Sequence, residues 1–196
     1  MNTYTAHIDS FARDNLPAEK LQAKVLFTLD ELQFPEKLNC AAELLDTHIE
    51  KGHGETIALR SYHANWSYQT LYEKANQIAH VLKENFNLLP GNRVLLRSAN
   101  NPMLAACWLG VVKAGGFVVA TMPLLRAKDL QPVIDKAEIK LALCDERLQA
   151  ELNEAMKLTP ELNTVCLFKA PGEQAVTTEL EQLMADKPIH FENVPT

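Results

Sequence analysis

The chain has 196 residues, 47% hydrophobic and 22% charged, with a formal net charge of −6 and a pI near 5.5. That length and apolar content suffice for one sizeable core and exclude disorder over the whole chain. The acidic balance, with no Lys/Arg cluster, excludes a nucleic-acid-binding face and is ordinary for a soluble cytoplasmic protein.

Residues 1–38 read as an extended arm, polar and irregular around Pro17 and Pro35, with one short helix near residues 18–26. The first sixteen residues hold no apolar stretch of the secretory-signal kind. Asn39 caps a helix in which Ala41, Leu44, Leu45, His48 and Ile49 recur at helical spacing, and Gly52 stops it. Residues 56–60 and 65–68 are short strands around a turn at Tyr62-His63. Ser67 caps the next helix, whose apolar stripe is Leu71, Ala75, Ile78, Ala79, Leu82 and Phe86.

A regular rhythm begins at residue 93. Strands over residues 93–97, 117–121, 141–144 and 164–168 alternate with helices over 102–114, 128–137, 147–157 and 178–185. Pro90-Gly91-Asn92 turns into the first strand, and Asn101-Pro102 is an N-cap followed by proline at the first helical position. Continuous apolar strands joined by amphipathic helices predict an α/β fold: a layered, mostly parallel sheet with helices on both faces.

Residues 103–125 are nearly all apolar, but Lys113 at their centre and the Gly115-Gly116 pair argue against a membrane span. The four cysteines, Cys40, Cys107, Cys144 and Cys166, form no CxxC pair and sit among apolar neighbours, so buried reduced thiols are expected. The six histidines show no metal-ligand spacing, His48 and His53 are not expected to share a helix face, and no metal site is expected. No GxGxxG, Walker loop or GxSxG elbow is present, and the turn after the 93–97 strand, Ser98-Ala99-Asn100-Asn101, has no glycine. Asp145-Glu146 begins a helix. Lys113 reads as a cation at a helix C-terminus, Gly115-Gly116 as a C-cap, and Trp66 and Trp108 as packing residues. From spacing alone this is an α/β layer domain whose chemistry is unreadable.

Trp66-Ser67-Tyr68-x-x-Leu71, Ala75-x-x-Ile78-Ala79, residues 89–94 (LPGNRV) and Asn100-x-Pro102 occur in that order. They are followed by residues 109–119 (LGVVKAGGFVV), Pro123-Leu124-Leu125 and Asp129-Leu130. Together they resemble the N-terminal region of the adenylate-forming superfamily, which includes acyl-CoA synthetases, adenylation domains and luciferases. Residues 14–17 (DNLP) and 34–46 (FPEKLNCAAELLD) resemble the benzoate and 2-aminobenzoate CoA ligases within it.

The resemblance implies, for a full-length protein, that a small aromatic carboxylate and ATP give acyl-AMP and pyrophosphate, and that CoA then displaces AMP as the thioester. It implies ATP, Mg and CoA as cofactors there, with none expected on this chain, no nucleic-acid or membrane partner, and leaves a homodimer open. Residues 39–196 would be the α/β N-terminal subdomain, truncated before the family's Ser/Thr/Gly-rich phosphate loop; no residue here is expected to be catalytic, and the chain alone is expected to be inactive. Basic residues after the 117–121 strand meet CoA phosphates in some members. Arg126 and Lys128 occupy that turn and are the candidate CoA-binding residues, with solvated surface as the other reading. Against the ligase reading stands a noncatalytic α/β module that binds a nucleotide or a partner protein. An open apolar surface beyond about residue 160 would favour the ligase fragment, and a closed polar one the module.

Overall fold

The computed structural model describes residues 6–24, 26–171 and 178–196. Residues 1–5 and Val25 of the expected arm lie outside them. In chain order the helices are α1 (Phe11–Asp14), α2 (Thr47–Glu50, continuing from a π-helical turn at Ala42–Asp46), α3 (Tyr68–Glu84), α4 (Pro102–Lys113), α5 (Ala127–Ala137), α6 (Gln149–Leu158) and α7 (Glu179–Met184). The strands are β1 (Ile57–Arg60), β2 (Asn65–Ser67), β3 (Arg93–Arg97), β4 (Phe117–Thr121), β5 (Leu141–Asp145) and β6 (Thr164–Phe168).

β1 and β2 form an antiparallel hairpin closed by Ser61, whose backbone N–H and hydroxyl both donate to the Ala64 carbonyl. The other four strands form one sheet in the order β4-β3-β5-β6, parallel throughout, with Val94 opposite both Val118 and Leu141. Helical crossovers return each strand to the same end of the sheet, which makes the pairing parallel. Every residue of β3 and β5 is buried, the reason residues 94–96 and 141–144 read as unbroken apolar runs.

The sheet separates two cores. Val94, Leu96, Leu143 and Phe168 pack with α3, α4 and α7 on one face. Leu95, Ala142 and Cys144 pack with Leu130 and Ile134 of α5 and Leu152 and Ala155 of α6 on the other. The α3 stripe is set by Ser67, whose hydroxyl accepts the Thr70 N–H at 3.2 Å. Ile78 and Leu82 are fully buried, each burial contributing about 1.5–3 kcal/mol. Gly110 lets α4 close on α3: a Cβ there would lie 2.7 Å from Ile78 Cγ2. Asn101 Oδ1 caps α4 by accepting the Leu104 N–H at 3.0 Å, and Gly115, at φ +79°, ends it.

Several expectations are corrected. The arm's short helix is a single 3-10 turn, Glu19–Leu21, because it has no buried face: Leu21 is 72% exposed. Cys40 is exposed, while Cys107, Cys144 and Cys166 are buried free thiols. His48 and His53 share no helix face, as expected, since His53 lies beyond the end of α2, yet their ring centroids are 6.1 Å apart. Lys113 is not a simple dipole partner. Its ammonium is fully buried and donates to both Asp46 oxygens at 2.5 and 2.7 Å and to Asn193 Oδ1 at 3.2 Å. Beyond residue 160, Ile189 is the large hydrophobic left exposed among the described residues, so the open apolar surface set as the mark of a ligase fragment is not found there; exposed ones gather instead in the arm, at Leu16, Leu21, Leu26, Phe27, Leu29 and Phe34.

Residues 8–11 and 187–196 are both tied to this body. The Asp9 carboxylate meets the Arg93 guanidinium, which lies over the Phe11 ring at 4.3 Å, and the N–H groups of Ile8 and Asp9 donate to the Pro90 carbonyl. Residues 187–196 form a strap across α3 and the end of α4. Phe191 is buried, Asn76 donates to the Ile189 carbonyl at 2.8 Å, and the Val194 N–H donates to the Lys113 carbonyl at 2.9 Å.

Candidate functional site

In a parallel sheet the chain reverses its winding direction where two strands leave to opposite sides, and the crevice at their carboxyl ends is where such folds bind ligands. Here that point lies between β3 and β5, since β3 leads outward to β4 and the chain then crosses back to β5. Ser98-Ala99-Asn100-Asn101 follows β3, Met122 to Arg126 follows β4, and Glu146-Arg147 follows β5.

Asp145 anchors this edge. Its fully buried carboxylate accepts from Arg147 Nε at 2.9 Å and Nη2 at 2.6 Å, from the Arg147 N–H at 3.1 Å and from the Ser98 hydroxyl at 3.3 Å. Burial pushes the Asp145 carboxyl up, but the Arg147 and Ser98 hydrogen bonds outweigh it and hold the group below the usual carboxylate range. Asn101 Nδ2 donates to Ser98 Oγ at 2.8 Å, so the same amide caps α4 and braces the Ser98 turn.

Arg97 closes the neighbouring turn from below. Its guanidinium is 1% exposed and donates to the carbonyls of Met122 (3.3 Å), Pro123 (3.2 Å), Leu125 (2.8 Å) and Leu148 (3.4 Å). Burial lowers its pKa, partly offset by Cys144 and Glu151. A cavity of about 190 Å³ opens above it, lined by Arg97, Arg126, Arg147, Glu151 and the residues between them. A larger cavity of about 380 Å³ lies at the opposite, amino end of the strands, around Asp9, Asn92, Arg93 and Glu138. There Arg93 is already engaged by Asp9 and by the carbonyls of Gly91, Ala137 and Glu138. The carboxyl-end cavity is therefore the candidate site.

Of the two predicted residues, Arg126 lines this cavity and Lys128, the second residue of α5, is exposed outside it. Arg126 is 77% exposed and pairs with Glu151 at 2.9 Å, while the other Glu151 oxygen accepts the Ala127 N–H at 3.0 Å. The Ala127 and Arg126 hydrogen bonds hold the Glu151 carboxyl below its ordinary value. An anion arriving here would meet a guanidinium that exchanges a solvated carboxylate partner for it. Arg97, Arg147 and Glu151 escaped sequence reasoning. The signal for Arg97 was a charge ending an otherwise apolar strand; Glu151 sits in an ordinary polar helix face and carried none. Among the described residues no group of His, Cys, Asp or Glu is arranged to hold a metal ion. No described helix is long and apolar enough to cross a membrane.

Four parallel strands with helices on both faces define a layered α/β domain, with the candidate ligand edge at the β3–β5 switch. The chain belongs to the AMP-binding enzyme family, whose pattern matches residues 45–193. It is 22% identical over 165 residues to the benzoate–CoA ligase of Thauera aromatica, covering 84% of this chain and 31% of that protein. It is 27% identical over 116 residues to a 3-hydroxybenzoate/4-hydroxybenzoate–CoA ligase of the same organism, covering 59% of this chain and 22% of that one. Among solved structures, the anthranilate CoA ligase AuaEII in complex with anthranoyl-AMP superposes with a TM-score of 0.73 at 15% identity, covering 83% of this chain and 30% of that one. A benzoate CoA ligase from Burkholderia xenovorans LB400 gives 0.67 at 19% identity, covering 80% and 30%. These structures establish the fold, an N-terminal subdomain of the adenylate-forming type. The chain spans about a third of the length of the relatives it matches most extensively.

Proposed function

We propose that this chain is the N-terminal part of an ATP-dependent aromatic-acid CoA ligase, with a substrate of the benzoate or 2-aminobenzoate class. In that reaction a carboxylate oxygen attacks the α-phosphorus of ATP and pyrophosphate leaves. The CoA sulfur then attacks the acyl carbon and AMP leaves. The reading rests on one observation: the family match runs from residue 45 to 193, and a benzoate–CoA ligase is matched over 84% of the chain. In this reading residues 1–38 are an arm and residues 39–196 a subdomain that ends before the phosphate-binding loop. ATP and Mg are assigned to no residue here, because the turns after β3 and β5 have no glycine to bring backbone N–H groups close to a triphosphate.

Arg126 is the residue proposed to meet the phosphates of CoA at the carboxyl-end cavity, with Lys128 outside the cavity as a weaker, solvated contact. The decisive experiment compares the 196-residue chain with a longer polypeptide containing it. ATP–pyrophosphate exchange with benzoate or 2-aminobenzoate is expected from the longer protein and not from the chain alone. Exchange by the chain alone, or none from either, would overturn the reading.

A further inference from the structure

Within residues 16–34 of the arm, Leu16, Leu21, Leu26, Phe27, Leu29 and Phe34 are each more than half exposed. Large apolar side chains scattered singly over a surface are ordinary; six along one short loop are not. The loop is nevertheless shaped. Phe27 and Phe34 meet edge to face with ring centroids 5.5 Å apart. The Gln33 side-chain amide donates to the carbonyls of Phe27 at 2.9 Å and Leu29 at 3.2 Å, and the Gln22 amide to that of Pro17 at 2.7 Å. Among the described residues, the hydrogen bonds of residues 16–34 all close within the arm.

Both feet of this loop are fixed. At the first, Asp9 pairs with Arg93 and accepts from the Asn92 amide at 2.8 Å. At the second, the Leu38 N–H donates to the Thr196 carbonyl at 2.9 Å and the Thr196 hydroxyl donates to the Leu38 carbonyl at 3.3 Å. Asn39 beside it donates to the carbonyls of Val112 and Val194, each at 2.9 Å. Between the feet lies a mostly apolar cavity of about 350 Å³, lined by His7, Ala12, Leu16, Glu36, Phe117 and Thr196 among others. Thr196 therefore stands both on the rim of this cavity and against the foot of the loop. Polypeptide continuing from it starts within reach of the exposed side chains.

We propose that residues 16–34 are an intramolecular docking strip, covered in the longer ligase by polypeptide that follows Thr196. The proposal rests on the ligase reading above. The benzoate–CoA ligase match covers 31% of that protein, so more than two thirds of such a ligase lies outside the stretch shared with this chain. A segment joined at Thr196 meets the strip at high effective concentration, whereas a second copy has to be recruited from solution. The strip carries Glu19, Asp30 and Glu31 against Lys20 and Lys24, so it lacks the cationic face that an anionic membrane or a nucleic acid takes.

The test is limited proteolysis by chymotrypsin, scored by mass for cleavage after Phe27, in the 196-residue chain and in the longer polypeptide containing it. Cleavage is expected to be at least about tenfold slower in the longer protein at every protein concentration, because it then waits for the strip to open. The combined variant Leu21→Ser, Leu26→Ser, Leu29→Ser should cut that protection to less than about threefold, since the apolar area that docks is lost. It should leave the urea midpoint of the 196-residue chain unchanged, because there these side chains already face water. Equal cleavage of the two wild-type proteins, full protection persisting in the variant, or a shifted midpoint would overturn the proposal. Protection of the 196-residue chain that grows with its own concentration would overturn it too, and assign the strip to a second copy. ATP–pyrophosphate exchange by the longer protein is measured in parallel. Protection without exchange keeps the docked strip and sinks the ligase reading; exchange without protection does the reverse.

Discussion

Arg97 and Leu125 are joined across the carboxyl edge of the sheet by a 2.8 Å hydrogen bond from guanidinium to carbonyl, and three further carbonyls share the same cation. A buried arginine with only carbonyl partners shapes a turn more than it neutralises a charge. Arg97→Met should therefore cost about 2–3 kcal/mol, because the carbonyls of the 122–125 turn lose their donor. Arg97→Lys should recover less than half, since an ammonium lacks the planar fork that spans separate acceptors. Urea unfolding of the three proteins measures this, and full recovery in Arg97→Lys would show that charge alone matters.

The Arg126–Glu151 pair gives a prediction that depends on salt. In the longer polypeptide Arg126→Ala should raise the KM for CoA severalfold and leave adenylate formation nearly intact. The effect should shrink as ionic strength rises, because Arg126 is largely solvated. The two half-reactions are assayed separately, and equal slowing of both would assign Arg126 to the scaffold.

Asp46→Asn tests the buried lysine. Burial pulls the Lys113 pKa down, and Asp46 opposes that through its hydrogen bond and charge. Removing the counterion should cost about 3–5 kcal/mol at neutral pH. The unfolded chain then binds the lysine proton more tightly than the native one, so the deficit should narrow as pH rises toward 10. Chemical denaturation at pH 7 and pH 9.5 checks the direction, and a deficit that widens with pH would refute it.

Gly91 sits at φ +95°, and a Cβ there would lie 2.1 Å from the Asp9 carbonyl oxygen. Gly91→Ala should therefore destabilise by about 1–3 kcal/mol and displace the arm from the turn before β3. The readout is loss of the Asp9–Arg93 pairing together with a lower Tm. An unchanged Tm would mean that the arm is held elsewhere.

Acid stability should report on Asp145. Its carboxyl is held low in the folded chain, so its contribution is present above the unfolded value of about 3.9 and is lost as pH falls through the folded value. Arg147→Met leaves burial as the dominant influence, and the midpoint of acid unfolding should move to higher pH. A midpoint that stays put would locate the stabilisation at Ser98.

The strands were legible as short apolar runs between turn signals, although only β3 and β5 are buried throughout, and β3, β4 and β6 begin and end where the sequence predicts. The caps at Ser67 and Asn101 were legible because capping is local. What stayed hidden depends on distant pairing. Nothing near Lys113 announces Asp46, 67 residues earlier, and nothing near Arg126 singles out Glu151. Cys40 was misjudged because an apolar context does not fix which side of a helical turn faces out: Ala41 beside it is buried, while Cys40 itself is exposed.

The Lys113 junction also has a direction in time. On the ribosome Asp46 emerges 67 residues before Lys113, and Asn193 follows it by 80. When α4 first docks, the ammonium thus meets its carboxylate already made, and no stage of synthesis need bury that charge alone. Asn193 arrives after both and, by bonding both members of the pair, turns an early electrostatic contact into an anchor for residues 187–196.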